Sequence, residues 1–278
     1  RVLYADMGND DMQRYLSEMI RQGRLNRLEA VRNIAPLIDE MRLIKDEYEI
    51  HKLRKAVDIT GQSFQQAMEV TQPGAFEYEV EAAIEYVFRK NGAHQPRFES
   101  IVASGSNATI LHYHHNNEKM EEGDLLLMDI GAEYDHYTAD ITRTIPVNGT
   151  FSKEQVELYR LVYQALQEGI KEMVPGKGIY EAHHKATDII VRGLYRLGLV
   201  TDTTSQWQRK FYTLYPIGHW LLLDVHDVGY YGKNNIHDNR EEMVNQNVVG
   251  TRLRPGMVLT IEPGIYMPLS RVDVELYR

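Results

Sequence analysis

The chain has 278 residues, 43% of them hydrophobic and 26% charged, with a formal net charge of −9 and no cysteine. That length holds one large domain, or one domain and part of another, with ample core. The negative balance removes electrostatic support for nucleic-acid or anionic-membrane partners. Without cysteine there are no disulfides or thiolate metal sites, so any metal must be held by oxygen and imidazole.

Residues 1 to about 45 read as the remnant of an N-terminal domain and its linker, with one helical stretch at Asp10–Arg21 and a mixed segment around Pro36. The chain opens at Arg1 in mid-sequence style and shows no signal peptide, and a cytoplasmic location is the default expectation. No apolar run approaches the roughly 20 residues needed to span a bilayer. From Lys45 the text becomes regular. Ile50, Leu53, Val57 and Phe64 recur at helical spacing, which predicts a helix over Asp46–Val70 that ends before Pro73-Gly74. Glu77–Lys90 is a second helix, closed by Asn91-Gly92, and Phe98–Ala103 alternates as a short strand.

Two strands are predicted next, Asp124–Gly131 and Tyr137–Val147, joined by a polar turn. Ser152 with Gln155 is a capping-box pattern that opens a helix to about Met173. Another helix, Tyr180–Leu197, stops at Gly198. Strand-like runs follow near Leu221–Val225 and Met257–Ile261, and the polar stretch Gly232–Arg254 between them reads as an extended loop. Helices precede, interrupt and follow antiparallel strands, so the expected class is α+β rather than a doubly wound sheet.

The informative residues are carboxylates in apolar surroundings. Asp129 sits within Leu125-Leu126-Leu127-Met128-Asp129-Ile130, a run apolar on both faces as in a doubly buried strand. A turn centred on Tyr134-Asp135 sets Asp129 opposite Asp140, with Cβ atoms about 4.5–5.5 Å apart, where like charges destabilise. Burying both unpaired costs several kcal/mol or forces one to protonate. Arg143 or turn amides would relieve either aspartate alone, whereas a pair of divalent cations relieves both together. His219 and His226 bracket the apolar stretch Trp220–Val225, and Glu262 follows the run Met257–Ile261. A lone histidine beside a strand is more often a satisfied core residue than a ligand, so these gain weight only from the aspartates.

Taken together, these residues resemble the pita-bread metallopeptidases, namely methionine aminopeptidase, prolidase and aminopeptidase P, over nearly everything from Lys45 to Arg278. The resemblance implies a catalytic domain over residues 46–278 with an antiparallel sheet flanked by helices. Its two divalent metals, Mn2+ first and Co2+ or Zn2+ otherwise, are held by two Asp, one His and two Glu. The string MDIGAEYDHYTADITRT carries Asp129 and Asp140 onto metal ligands. HWLLLDVHDVG makes His219 the His ligand and His226 the histidine that steadies the reacting carbonyl. LTIEPGIY makes Glu262 both a ligand and a proton carrier, and ILHYHHN gives His112 a substrate-facing role. His114, His115, His183, His184 and His237 gain no role and are expected as solvated loop residues.

DVHDVG and TIEPGIYMP favour the proline-specific branch. The implied activity is therefore cleavage between an N-terminal residue and a following proline, with a dipeptide-only prolidase as the alternative and a non-catalytic binding module as the remoter one. Expected partners are peptides with proline at the second position and further copies of the chain as a homo-oligomer, with no nucleic acid and no membrane. Three departures stand out. Tyr215 and Leu222 replace a histidine and a glycine found near the substrate pocket in many relatives. The family's second Glu ligand is expected in a strand beyond Arg278, with Glu275 in the connector that leads to it.

Overall fold

A computed structural model describes residues 1–25, 27–232 and 248–267. The elements in chain order are β1 (Val2–Ala5), α1 (Asp10–Arg21), β2 (Ala30–Asn33), α2 (Ala35–Leu43), α3 (Glu47–Val70), α4 (Glu77–Lys90), β3 (Gln95–Pro96) and β4 (Ile101–Ser104). A 3₁₀ turn at Gly105–Thr109 is followed by β5 (Leu125–Ile130), β6 (Ala132–Tyr134), β7 (Tyr137–Thr138), β8 (Ile141–Pro146), α5 (Lys153–Glu172), α6 (Ile179–Arg196) and α7 (Gln206–Tyr212).

The helices start where local chemistry places them. At α3, Glu49 N donates to Asp46 Oδ1 and Asp46 N to Glu49 Oε2, both at 2.9 Å. At α5, Ser152 and Gln155 exchange the same pair of bonds. Each box satisfies two amide donors that a helix N-terminus leaves without partners. The predicted helices at 10–21, 77–90 and 180–197 are present within a residue or so. Elements that were not predicted include the parallel strands β1 and β2, α2 with Pro36 in its first turn, and α7.

Two packed halves surround the site. In the first, β4–β5–β8 forms an antiparallel sheet covered by α3 and α4. Leu126, Met128 and Ile130 of β5 are fully buried against Ile59, Ile84 and Phe88. Each such side chain contributes roughly 1.5–3 kcal/mol by leaving water. The opposite face of β5, bearing Leu125, Leu127 and Asp129, is only partly buried. The strand is therefore closed on one side and half-open on the other, not sealed on both as its composition predicted.

In the second half, α5 and α6 pack together through Leu161, Ala165, Ala186 and Ile190. They lie against two extended segments, 217–221 and 258–262. These segments pair antiparallel through Glu262 N to Ile217 O (2.8 Å), Thr260 N to His219 O (2.9 Å) and Leu221 N to Val258 O (3.2 Å). The second predicted run thus joins the ladder, whereas the first contributes only its start, because residues after Leu221 turn away. Residues 233–247 of the expected loop, His237 among them, and Glu275 with the chain's last residues lie outside the described residues.

Candidate metal centre

The hairpin register differs from the expected one. Tyr134 pairs with Tyr137, so the turn is Asp135-His136, with φ of 55° and 73°. Both central residues are left-handed, the requirement of the two-residue turn that matches strand twist. Asp129 consequently faces Thr142, not Asp140. Asp140 lies two residues before Thr142 and so on the same face, as Asp129's diagonal neighbour. Moving the turn centre by one residue shifts the partner by two, which preserves the face. The two carboxylates still meet.

Close backbone approach holds this corner together. A Cβ on Gly131 would stand 1.9 Å from the carbonyl oxygen of Ala139. Across the site, a Cβ on Gly218 would stand 2.2 Å from the carbonyl oxygen of Thr260. Each glycine adjoins a ligand segment and lets two backbones touch where any side chain would part them.

Asp140, His219 and Glu262 converge so that one ligand atom of each lies within 4.8 Å of the others. His219 Nε2 is 3.0 Å from Asp140 Oδ2 and 3.1 Å from Glu262 Oε1, with side chains only 13%, 10% and 27% exposed. His219 Nδ1 donates to the carbonyl of Trp220 at 3.0 Å. That bond fixes the ring and its tautomer and turns Nε2 toward the two carboxylates. Burial works against an imidazolium here, but the bonds to Asp140 and Glu262 outweigh it and raise His219 to about 10.

Thr260 completes the arrangement. Its hydroxyl accepts from His219 N at 3.0 Å and donates to Glu262 Oε1 at 2.7 Å. The sequence carried this signal in the alternation Thr260-Ile261-Glu262, which puts the threonine and the glutamate on one face. Asp129 lies beside the triple rather than within it. Its Oδ1 is buried and has no hydrogen-bond partner. Burial first, and the charges of Asp140 and Glu262 next, push its carboxyl well above the ordinary range. An orphaned buried oxygen beside three converging donors, all oxygen or imidazole, fits a site for divalent cations.

The two histidines expected near substrate flank this cluster. The His226 ring is 4.1 Å, centroid to centroid, from the His219 ring. Burial first and the His219 charge next lower its pKa, and His112 adds to that effect from the facing loop. His112 is exposed, with φ of 56°. Tyr215 sits behind Glu262, its hydroxyl 3.3 Å from that of Tyr266. Burial raises both phenols above their usual pKa, so they remain neutral.

Other placements correct the expectations. Leu222 has no exposed surface, so it does not line an open pocket. His183 and His184 belong to α6 and are not solvated loop residues. His183 borders a small apolar cavity with Met173, Tyr180, Ile217 and Ile261, and burial lowers its pKa to about 4. Its Nδ1 is buried and has no hydrogen-bond partner. His114 and His115 are exposed, as expected.

The family model for metallopeptidase family M24 matches residues 51–276, and this chain belongs to that family. It is 39% identical over 268 residues to the Xaa-Pro aminopeptidase of Escherichia coli K12, covering 94% of this chain and 58% of that protein. It is 44% identical over 248 residues to the Xaa-Pro aminopeptidase of Haemophilus influenzae, covering 87% of this chain and 54% of the relative. The solved structure of aminopeptidase PepP from Pseudomonas aeruginosa matches all of this chain with a TM-score of 0.87 at 37% identity. The match covers 62% of the Pseudomonas chain. The fold is the pita-bread α+β fold of aminopeptidase P structures, and the chain spans between half and two thirds of the length of these relatives.

Proposed function

We propose that this chain is the catalytic part of an Xaa-Pro aminopeptidase, a metallo-exopeptidase that cuts between an N-terminal residue and a following proline. The observation that carries the reading is the convergence of Asp140, His219 and Glu262 beside the unpartnered Asp129 oxygen. The similarity to proteins named Xaa-Pro aminopeptidase supports the substrate class.

Asp129, Asp140, His219 and Glu262 are the residues that would hold two divalent ions, with a fifth ligand, a second glutamate, expected from the resemblance. An oxygen-rich set with one imidazole favours Mn2+ over Co2+ or Zn2+. When bound, such ions supply Lewis acidity toward a carbonyl oxygen and lower the pKa of water to near 7.

The chain's own residues do the rest. Glu262 Oε1 is engaged by Thr260 and His219, which leaves Oε2 to take a proton and pass it to the leaving nitrogen. That nitrogen is proline's, with no N–H of its own, so it departs as an amine only once protonated. His226 and His112 donate toward the oxygen on which charge develops. The reading includes residues 1–45 as part of a preceding domain, a cytoplasmic location and a homo-oligomeric assembly.

Hydrolysis of Xaa-Pro-Yaa tripeptides against Xaa-Pro dipeptides, by full-length protein with added manganese, tests the proposal. Tripeptides with a free amine should be cleaved faster, and Asp140→Asn should abolish cleavage while leaving the fold intact. Faster turnover of dipeptides moves the assignment to prolidase. Indifference to proline removes both readings, and metal-loaded protein without any peptidase activity points to a binding module.

A further inference from the structure

A second acidic centre lies outside the ligand set. Glu77, the first residue of α4, has no exposed surface, and its carboxylate collects five hydrogen bonds. Oε1 accepts from Ser104 N and Ser104 Oγ, both at 2.7 Å, and from Asn107 Nδ2 at 3.3 Å. Oε2 accepts from the Tyr113 hydroxyl at 2.8 Å and from Glu118 N at 3.0 Å. The backbone N–H of Glu77 donates to Glu118 O at 3.0 Å.

All five donors belong to one stretch, residues 104–118, and they fall on both sides of His112. A charge with no contact to water requires such compensation, since an unpaired buried carboxylate costs several kcal/mol. What the compensation secures is local. His112 has φ of 56°, a conformation a non-glycine residue keeps only when its surroundings impose it. Asn116, buried and at φ of 46°, ties the same stretch to β4 by accepting from Val102 N at 2.9 Å and donating to Ser100 O at 2.7 Å.

We infer that Glu77 is a positioning residue that acts through His112, its carboxylate gathering both ends of the 104–118 loop so that the imidazole faces the metal centre. The inference rests on the substrate-facing role given to His112 in the proposed function. A carboxylate suits the task because it only accepts, and all five partners donate. Glutamine has the same shape but sets an N–H against donors such as Glu118 N.

The test compares Glu77→Gln in full-length protein with its parent, each in wild-type and His112→Ala backgrounds. Metal content, cooperative unfolding, amide exchange and tripeptide kinetics are measured on the same samples. Expected are unchanged metal content, lost protection at the Ser104 and Glu118 amides, and kcat lowered about 10- to 100-fold, as misplacing a reacting group by about 1 Å does. In the His112→Ala background the further loss should shrink to about twofold or less, since residues acting as one unit are not additive. Unchanged kcat, or an equal loss in both backgrounds, overturns the inference. If Glu77→Gln does not fold, Tyr113→Phe, which removes one of the five donors, carries the same comparison with a smaller expected loss. An inert parent overturns the functional reading together with the inference, whereas an active parent with an indifferent Glu77→Gln overturns the inference alone.

Discussion

Arg42 of α2 donates to Asp227, the residue immediately after His226, across a sequence separation of 185. Asp227 has no exposed surface and Arg42 little. Arg42 also reaches Asp224 at 2.9 Å, and Asp224 is held from its other side by Arg97 at 2.6 Å. Arg97 extends the chain to Glu133 of β6 at 3.2 Å. The loop that carries His226 is thus clamped between the N-terminal segment and the aspartate hairpin.

Removing the cation from this clamp strands a buried carboxylate. Arg42→Met should cost about 3–5 kcal/mol, the usual penalty for breaking a buried pair from one side. Adding Asp227→Asn should restore part of that loss, because the unpaired charge then disappears. Denaturant unfolding of the two variants checks both statements. Equal stability of Arg42→Met and parent would show that Lys45, also buried, neutralises Asp227 unaided.

Metal loading should release protons. In the metal-free site His219 is raised to about 10 and Asp129 is raised by burial and its neighbouring charges. Both shifts favour a bound proton, and a proton held by either group must leave before that group can act as a ligand. Affinity should climb as pH rises through about 6 to 8, with about two protons released per loaded site near neutrality. Titration calorimetry in buffers of different ionisation enthalpy counts them. An affinity flat across that range would contradict the protonated metal-free site.

Acid should act on the second half through His183. Its folded pKa of about 4 lies below the unfolded value, so the unfolded chain takes up a proton first. The stability present above about pH 6.5 is lost as pH falls toward 4, up to about 3 kcal/mol at about 1.4 kcal/mol per unit. His183→Met, which can fill the adjoining cavity, should flatten that decline. Melting temperatures followed from neutral to acid pH for the two proteins decide it, and parallel declines would place the sensitivity elsewhere.

Leu222→Gly should destabilise rather than open a pocket. The side chain is fully enclosed, and its backbone carbonyl accepts from Thr138 N at 3.0 Å. Loss of a buried leucine side chain and gain of glycine entropy together cost about 3–5 kcal/mol. Chemical unfolding measures the loss. Faster turnover of bulky substrates at unchanged stability would put this side chain beside the substrate instead.

What could be read from sequence was local or periodic. The helical spacing of Ile50, Leu53, Val57 and Phe64 announced α3, and Ser152 with Gln155 announced α5, since a capping box closes within four residues. Asp129 and Asp140 could be brought together because strand alternation survives an error of one residue at the turn centre. The turn itself was misplaced because Asp135-His136 adopts two left-handed residues without the glycine that normally marks them. The rest depended on distant partners. Neither β1 beside β2 nor Glu77 beneath the His112 loop has a signature in its own segment. His183 seemed a solvated residue because α6 alone does not reveal which of its faces meets the 217–221 ladder.

Gly131 and Gly218 carry a consequence for anyone redesigning the site. Both ligand-bearing segments rest on bare backbone, main chain against main chain, at contacts that leave no room for a single methyl group. The spacing between the two arms of the aspartate hairpin, and between the histidine and glutamate segments, is thereby set by peptide geometry, which side-chain substitution does not adjust. Tuning this centre toward a larger or smaller ion is therefore a matter of exchanging donor atoms, because the frame that holds them has no slack to give.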